Sequence, residues 1–395
     1  MKTCQNDLTF PLNDLFLLEA TQSEQRPQKI TELLKHIEET DDWEALLNMA
    51  YHHALIPQLY TIFSRHRNLI PHNCLTQTEA LNEEIIFENI KLGAELIQLT
   101  RILEKNALPY ISIKGPALAQ ELYQDVTKRQ ISDLDILVSE HDLLAIANIL
   151  LERGFQSSLP LSLLSNSGFI ALDNDFTFLH HTKKIMVELH WKLFPVRHKM
   201  PLEFETLHQN ARAVILQKHP VTILSPEDNL LYLSLHATKH LFEQLKWLCD
   251  IDRLVRNSTA LDLERVLETA DKIEVSDALL LALLMSKELY HTPLPDQITE
   301  RRSPHIEKLL HTVLHYFGED FTTLAEPQKK KIRYLFLQQL NHTKQNRLLA
   351  LFLATFKPSS VDYIYYQLPE KLNFLYPLLR GPRLLYKYGL KRWVM

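Results

Sequence analysis

The chain has 395 residues, of which 46% are hydrophobic and 23% are charged, a composition typical of a soluble globular protein with two or three domains. Its formal net charge of -5 argues against broad, sequence-independent binding of nucleic acid, because such binding requires many positive charges. The 7 glycines are few, which indicates a mainly helical chain.

The three cysteines are far apart in the sequence and form no CxxC pair, which is typical of a reducing compartment. The N-terminus does not have the pattern of a signal peptide. The longest apolar run, from Ala278 to Met285, is too short to cross a bilayer. We therefore expect a cytoplasmic protein without a transmembrane segment.

Residues 1–105 carry the pattern of helices. The longest predicted helix runs from about Thr78 to Lys105, where leucine and isoleucine recur at helical spacing. We predict an N-terminal helical region over residues 1–105.

Between residues 106 and 225, short strands alternate with helices. A helix is predicted after Lys114-Gly115-Pro116, and another from Glu140 to Arg153, where Gly154 ends it. The predicted strands are residues 109–113, 134–138, 176–179 and 185–191, the last two joined by a hairpin turn at 181–184. We predict a compact α/β core over residues 106–225.

The remainder of the chain is again helical in pattern. Ser225-Pro226-Glu227-Asp228 is a strong helix start, with a capping hydroxyl, a proline in the first turn and two acids. A C-terminal helical domain is predicted over residues 226–395. The fold class is therefore α+β, with a small mixed sheet between N- and C-terminal helical regions.

Two carboxylates lie close together in Ser132-Asp133-Leu134-Asp135-Ile136-Leu137-Val138. On a strand, alternate side chains share a face, so Asp133 and Asp135 point the same way. Paired carboxylates repel each other unless a cation lies between them, and Mg²⁺ is the hard cation that such a pair binds. The alternative is an exposed acidic strand face.

The later strand Val187-Glu188-Leu189-His190-Trp191 places Glu188 and His190 on one face. If this strand lies beside Asp133 and Asp135, Glu188 becomes a third acid at the same metal site. It then serves as a ligand or as a base for an attacking hydroxyl. The alternative is a solvated strand residue.

Candidate phosphate ligands precede these acids. Lys114-Gly115 follows a strand and precedes a helix, where Gly115 permits close approach of a phosphate and the helix N-terminus favours anions. Lys114 supplies a point charge. Arg129 is a further candidate, with a surface role as the alternative.

A polar stripe after the core is formed by His236, His240, Glu243, Trp247 and Asp250, whose spacings of four and three residues place them on one face of a single helix that starts at Ser225. We predict contact with substrate or nucleotide for His236, Lys239 and His240. A zinc site lacks a third ligand, and a structural polar face is the other alternative. Lys329-Lys330-Lys331 with Arg333 is interpreted as a solvated helix face.

Together these segments resemble the uncharacterised nucleotidyltransferase family of the polymerase-beta-like superfamily. Ile113–Leu118, Arg129, Ser132–Val138, Val187–Trp191 and Leu235–His240 carry the resemblance, which covers about residues 80 to 256. It implies a twisted mixed sheet of nucleotidyltransferase type, with Asp133 and Asp135 as metal ligands and Glu188 as the third acid. The superfamily's usual glycine followed by glycine or serine is here Gly115-Pro116, and proline has no N–H to offer a phosphate.

The resemblance implies Mg²⁺-dependent transfer of a nucleoside monophosphate from an NTP to a hydroxyl of an acceptor, which is a small molecule, a protein or RNA. A second hypothesis is a non-catalytic interaction or regulatory module that keeps the fold, which Gly115-Pro116 favours. A third is a metal-dependent phosphohydrolase or nuclease that uses the same acids. The sequence does not indicate which acceptor or which NTP is used.

Overall fold

The structure of the protein is a computed structural model that describes residues 11–193, 202–258, 261–318, 324–340 and 356–388. The described residues form two compact units. The first unit comprises those within Met1–Ile97, Lys114–Ser132 and Arg212–His342. The second comprises those within Gln98–Ile113, Asp133–Ala211 and Thr343–Met395. The predicted fold class, α+β with a mixed sheet and flanking helices, is confirmed.

Helices precede the first strand, as their apolar spacing predicted. They are α1 (Leu12–Thr21), α2 (Pro27–Thr40), α3 (Trp43–His52), α4 (Ile56–Arg65) and α5 (His72–Lys105). In the first unit, α1 packs against α2, α3 and α4. Buried aromatic rings join these helices, with centroid distances of 6.5 Å between Phe16 and Phe63 and 5.9 Å between Trp43 and Phe63.

The second unit contains a sheet whose strands follow the order β3-β4-β5-β2-β1. The strands are β1 (Tyr110–Ser112), β2 (Leu134–Val138), β3 (Gln156–Ser157), β4 (Asp175–His180) and β5 (Ile185–His190). β2 and β5 are parallel, and the other neighbouring pairs within this unit are antiparallel, so the sheet is mixed. Every residue of β2 is buried, which accounts for its almost continuous apolar run.

Short helices lie between these strands and after the last of them in the second unit. They are α7 (Leu143–Glu152), α8 (Ser167–Leu172) and α9 (Phe204–Asn210). Gly154 follows α7 with a φ of 88°, a left-handed conformation that an L-residue rarely adopts, and its N–H donates to the carbonyl of Leu151. The prediction that this glycine ends the helix is confirmed.

The first unit holds α6 (Gly115–Tyr123) and a hairpin of β6 (Arg212–Leu216) and β7 (His219–Ile223) that the sequence did not predict. Gln217 and Lys218 form its two-residue turn with φ values of 48° and 68°. Such turns usually contain asparagine or glycine, which tolerate positive φ. Gln-Lys lacks that signal, so the hairpin was missed.

The remaining helices follow the hairpin in chain order. In the first unit they are α10 (Pro226–Lys239), α11 (Leu245–Asn257), α12 (Leu263–Lys272), α13 (Ser276–Tyr290), α14 (Asp296–Thr299), α15 (Pro304–Gly318) and α16 (Glu326–Leu340), and in the second α17 (Ser360–Tyr366) and α18 (Tyr376–Tyr388). The Ser225 side chain accepts a hydrogen bond from the Asp228 N–H, so the predicted helix start is confirmed.

The apolar run from Ala278 to Met285 lies in α13, where every residue of the run is buried. α13 packs against α10, α11, α12 and α15, so apolar side chains on all its faces are covered by neighbouring helices. Among the helices that the structure describes, none is both long and apolar enough to span a bilayer.

His53 is the C-cap residue of α3 in the first unit, and it is 6% exposed. Its Nδ1 lies 3.4 Å from the Leu245 N–H nitrogen, which donates to it. Burial, followed by the nearby charge of His52, lowers the pKa of His53 to about 4, despite an opposing backbone hydrogen bond with Glu243. The neutral imidazole is therefore the form that the folded chain accommodates.

This lowered pKa predicts loss of stability in acid. Unfolding restores an ordinary histidine pKa near 6.5, so the contribution of His53, about 3 kcal/mol, is complete above pH 6.5 and disappears as the pH falls towards 4. We expect His53→Gln to flatten the decline of the unfolding free energy between pH 7 and pH 4.5, measured by urea denaturation. The exposed His36→Gln is the control. Equal declines in wild type and His53→Gln would contradict the prediction.

Candidate functional site

Two acids meet on neighbouring strands of the second unit. β2 and β5 are aligned so that Asp135 lies opposite Glu188. Paired residues of adjacent strands project to the same face, so the two carboxylates lie side by side. Asp135 is 1% exposed, whereas Glu188 is partly exposed. The strand of Glu188 therefore lies beside the strand of Asp135, as predicted.

His190 completes this cluster from the same strand as Glu188. Its Nε2 lies 3.0 Å from Oδ1 of Asp135 and 3.5 Å from Oε2 of Glu188. The ligand atoms of Asp135, Glu188 and His190 all lie within 4.8 Å of one another, which is close enough to hold one metal ion. The sequence placed His190 on this face but did not assign it to the site.

The protonation of His190 reflects its acidic neighbours. Burial lowers the pKa of the imidazole, but hydrogen bonds with Asp135 and Glu188 and the charges of Asp135 and Asp175 outweigh burial and raise it to about 9. The imidazolium therefore balances the negative charge of the buried carboxylate at neutral pH.

Asp175 is a further acid on this face that sequence reasoning missed. It lies on β4 directly opposite His190, and Thr177 lies opposite Glu188. The Asn174 side-chain amide donates to Oδ2 of Asp175 over 2.8 Å. The alternation of Asp175 and Thr177 with Phe176 and Phe178 was the available signal, since it marks the polar face of β4.

Asp133 lies one residue before β2 begins and is half-buried. The three-residue group of possible ligands does not include it. Its role as a metal ligand remains a prediction.

The chemistry of these donor atoms suits Mg²⁺. Asp135 and Glu188 supply the hard carboxylate oxygens that Mg²⁺ prefers, and few protein ligands are needed because the ion retains waters or phosphate oxygens. An imidazole is a less usual Mg²⁺ ligand, but a hydrogen bond from it orients a ligating carboxylate. The residues present therefore fit Mg²⁺, with His190 in a supporting role.

The predicted phosphate residues Lys114 and Gly115 lie at the start of α6 in the first unit. Gly115 has a φ of 68°, a left-handed conformation that glycine adopts without steric strain at the turn into the helix. Pro116 follows within the first helical turn, where its missing N–H costs no helical hydrogen bond. Nζ of Lys114 lies 5.9 Å from the centroid of the Tyr232 ring.

Arg129 is buried rather than on the surface, with 4% exposure. Its Nε and a terminal nitrogen lie 3.0 Å and 2.8 Å from the two carboxylate oxygens of Asp250. The Tyr123 hydroxyl donates to the same carboxylate over 3.0 Å. The guanidinium thus makes a bidentate ion pair within the first unit, and binding of phosphate by Arg129 remains a prediction.

The polar stripe does not lie on a single helix, and that prediction is wrong. α10 ends at Lys239 and α11 begins at Leu245. Leu241 and Phe242 lie between them with φ values of 56° and 54°. These left-handed conformations interrupt the right-handed helix. A sequence without glycine or proline in this loop gave no sign of the break.

The rings at this break nevertheless cluster. The centroids of His236 and His240 are 4.8 Å apart, and Trp247 of α11 lies 5.1 Å and 5.4 Å from them. Lys239 is exposed beside them. Binding of substrate by His236, Lys239 and His240 remains a prediction.

The basic run on α16 is only partly solvated, so its interpretation as a solvated face is wrong for two of its members. Lys329 is 7% exposed, and its Nζ lies 3.1 Å from Oε1 of Glu243. Arg333 forms a salt bridge with the other oxygen of Glu243. Lys330 and Lys331 are exposed, as expected.

Comparison with known proteins shows where the chain belongs. Residues 39–291, more than half of the chain, match the family described as uncharacterised nucleotidyltransferase. Among solved structures, the chain is similar to an antigenic nucleotidyltransferase-like protein from Paracoccidioides brasiliensis, at 14% identity and a TM-score of 0.30 over 48% of this chain and 92% of that one. No curated protein matches. The match over residues 39–291 shows that the chain belongs to the uncharacterised nucleotidyltransferase family.

Proposed function

We propose that the protein is a Mg²⁺-dependent nucleotidyltransferase of the polymerase-beta-like superfamily. It transfers a nucleoside monophosphate from an NTP to a hydroxyl of an acceptor. The observation that carries this proposal is the pairing of Asp135 with Glu188 on parallel neighbouring strands, in a chain of a nucleotidyltransferase family. Carboxylates on neighbouring strands suit binding of a divalent cation, and that cation in turn binds phosphate oxygens.

In this reaction the acceptor hydroxyl oxygen forms a bond to the α-phosphorus, and the bond from that phosphorus to pyrophosphate breaks. Bound Mg²⁺ supplies positive charge to the phosphate oxygens. Asp133, Asp135 and Glu188 hold the ion in this proposal. Glu188 serves either as the third ligand or as the base that accepts the hydroxyl proton. His190 orients the carboxylate of Asp135 through its hydrogen bond.

The proposal gives the other candidate residues supporting roles. Lys114 and Gly115 at the start of α6 bind phosphates, by the charge of the ammonium and by the close approach that a glycine permits. Arg129 contributes positive charge to the same phosphates. His236, Lys239 and His240 contact the substrate or the nucleotide.

A non-catalytic interaction or regulatory module is the second candidate. The observation that favours it is Pro116 in the first turn of α6, because a proline has no N–H for a phosphate. The two candidates differ in nucleotide binding. An enzyme binds an NTP in the presence of Mg²⁺, whereas a module that only keeps the fold does not.

Two measurements test the proposed function. Calorimetry with each of the four NTPs, with and without Mg²⁺, is expected to give binding that depends on the metal. Incubation with NTPs labelled at the α-phosphorus and a cell lysate is expected to label an acceptor and release unlabelled pyrophosphate. Release of free nucleoside monophosphate without a labelled acceptor would indicate a phosphohydrolase instead. No metal-dependent binding of any NTP would support the non-catalytic module.

A further inference from the structure

A group of cations and aromatic rings surrounds the C-terminal end of α10 in the first unit. Lys114 lies over the Tyr232 ring at 5.9 Å, and the Tyr232 ring lies 6.0 Å from that of His236. His236 in turn lies 4.8 Å from His240, centroid to centroid. This chain of contacts connects the start of α6 to the last turn of α10.

A second set of contacts extends this group to α16. The Glu243 N–H donates to the carbonyl of His240 over 3.3 Å, so the carboxylate lies just beyond the end of α10. Lys329 and Arg333, one helical turn apart on α16, each contact a different oxygen of that carboxylate. Two cations from a distant part of the sequence are thereby brought to His240.

The charges near His240 are mainly positive. Burial, followed by the charges of Lys239, Arg333 and Lys114, lowers the pKa of His240 to about 4, and Glu243 opposes this effect. Four cations, Lys114, Lys239, Lys329 and Arg333, therefore lie around His240 and the Glu243 carboxylate. Several positive charges around the neutral His240 imidazole attract a multivalent anion.

We propose that Lys329 and Arg333 of α16, together with Lys114 and Lys239, form a binding site for pyrophosphate groups, and that Glu243 competes with the anion for the two α16 side chains. We name Lys114, Lys239, Lys329 and Arg333 the cation cluster. Arginine binds two phosphate oxygens at once, and lysine adds a mobile point charge. The inference deepens the proposed function, because pyrophosphate is both part of an NTP and the leaving group of the reaction.

The alternative is that Glu243 merely attaches α16 to the rest of the unit. A purely structural salt bridge leaves the affinity for anions unchanged in every variant that folds. A binding role makes affinity depend on which lysines of the run are neutralised. Lys330 and Lys331 provide the matched comparison, since they belong to the same run but are exposed.

The experiment is calorimetric titration of the full chain with pyrophosphate in a magnesium-free buffer of fixed ionic strength. The wild type is expected to bind. Lys329→Gln with Arg333→Gln is expected to weaken binding at least about tenfold, as loss of charge-assisted hydrogen bonds implies. Lys330→Gln with Lys331→Gln, which removes the same charge, is expected to change the affinity by less than about twofold. Circular dichroism shows whether each variant is folded.

Further variants keep the test decisive if the first one does not fold. The exposed Lys239→Gln is expected to weaken binding several-fold, and Glu243→Gln to strengthen it, because the competing carboxylate is removed. The inference is overturned if the wild type does not bind pyrophosphate, if both double variants lose affinity equally, or if Lys239→Gln has no effect. An unchanged or weaker affinity in Glu243→Gln overturns the competition.

Failure of this inference is distinguishable from failure of the proposed function. Asp135→Asn with Glu188→Gln removes the proposed metal ligands but is expected to leave pyrophosphate binding without magnesium intact. Pyrophosphate binding without any nucleotide transfer contradicts the proposed function alone. Nucleotide transfer by a protein whose cation cluster variants bind pyrophosphate normally contradicts the inference alone.

Discussion

Replacement of Asp135 by asparagine and Glu188 by glutamine is expected to abolish Mg²⁺-dependent release of pyrophosphate from an NTP. The two amides keep the shape of the acids but remove both charges from the paired positions on β2 and β5. A catalytic metal lowers a barrier by several kcal/mol, so we expect a loss of at least about a thousandfold. Metal affinity, measured by titration with Mn²⁺ as a spectroscopic substitute, is expected to fall with the activity.

The control for this variant is Glu152→Gln at the exposed end of α7, which removes an acid in the same unit. It is expected to retain wild-type activity and metal affinity. Because Asp135 is buried, the double variant must also be shown to fold, by its circular dichroism spectrum. If a folded double variant released pyrophosphate at the wild-type rate, the assignment of this metal site would be wrong.

Replacement of Asp250 by alanine is expected to destabilise the first unit by about 3–5 kcal/mol, because it removes the bidentate carboxylate partner of the buried, charged Arg129 guanidinium. Arg129 is 4% exposed, and Asp250 is fully buried. The Tyr123 hydroxyl also loses its acceptor. Urea denaturation followed by tryptophan fluorescence measures the loss.

Two comparisons identify the cause of this loss. Arg129→Met combined with Asp250→Leu removes both charges and is expected to recover most of the stability, because no charge remains buried. Glu24→Gln breaks the salt bridge between Glu24 and Arg256 of α11. Because the Glu24 side chain is 81% exposed, this change is expected to cost less than about 0.5 kcal/mol. Similar losses for Asp250→Ala and Glu24→Gln would show that burial does not determine the value of the pair.

Features encoded by a local pattern were predictable from the sequence. β2 spans Leu134–Val138, the predicted bounds, because a short, mostly apolar run with β-branched residues favours a buried strand. The start of α10 and the end of α7 followed from capping residues, since both signals lie within a few positions. The break between α10 and α11 had no such signal.

The candidate site was only partly predictable, because local residue spacing does not show which strands or side chains pair across long stretches of sequence. The face shared by Glu188 and His190 followed from strand periodicity. That β5 lies parallel and next to β2 depends on the packing of the whole sheet, as does the position of Asp175 opposite His190. The partner of Arg129 lies 121 residues away, and nothing around Arg129 indicated its burial.

The parallel arrangement of β2 and β5 has a consequence for the evolution of the chain. Parallel neighbours require a crossover, which here includes α7, α8, β3 and β4 between Ser139 and Lys184. Strand spacing of about 4.8 Å sets the separation of Asp135 and Glu188, whatever the length of that crossover. Insertions and deletions between β2 and β4 can therefore remodel the surroundings of the acids while their spacing is preserved.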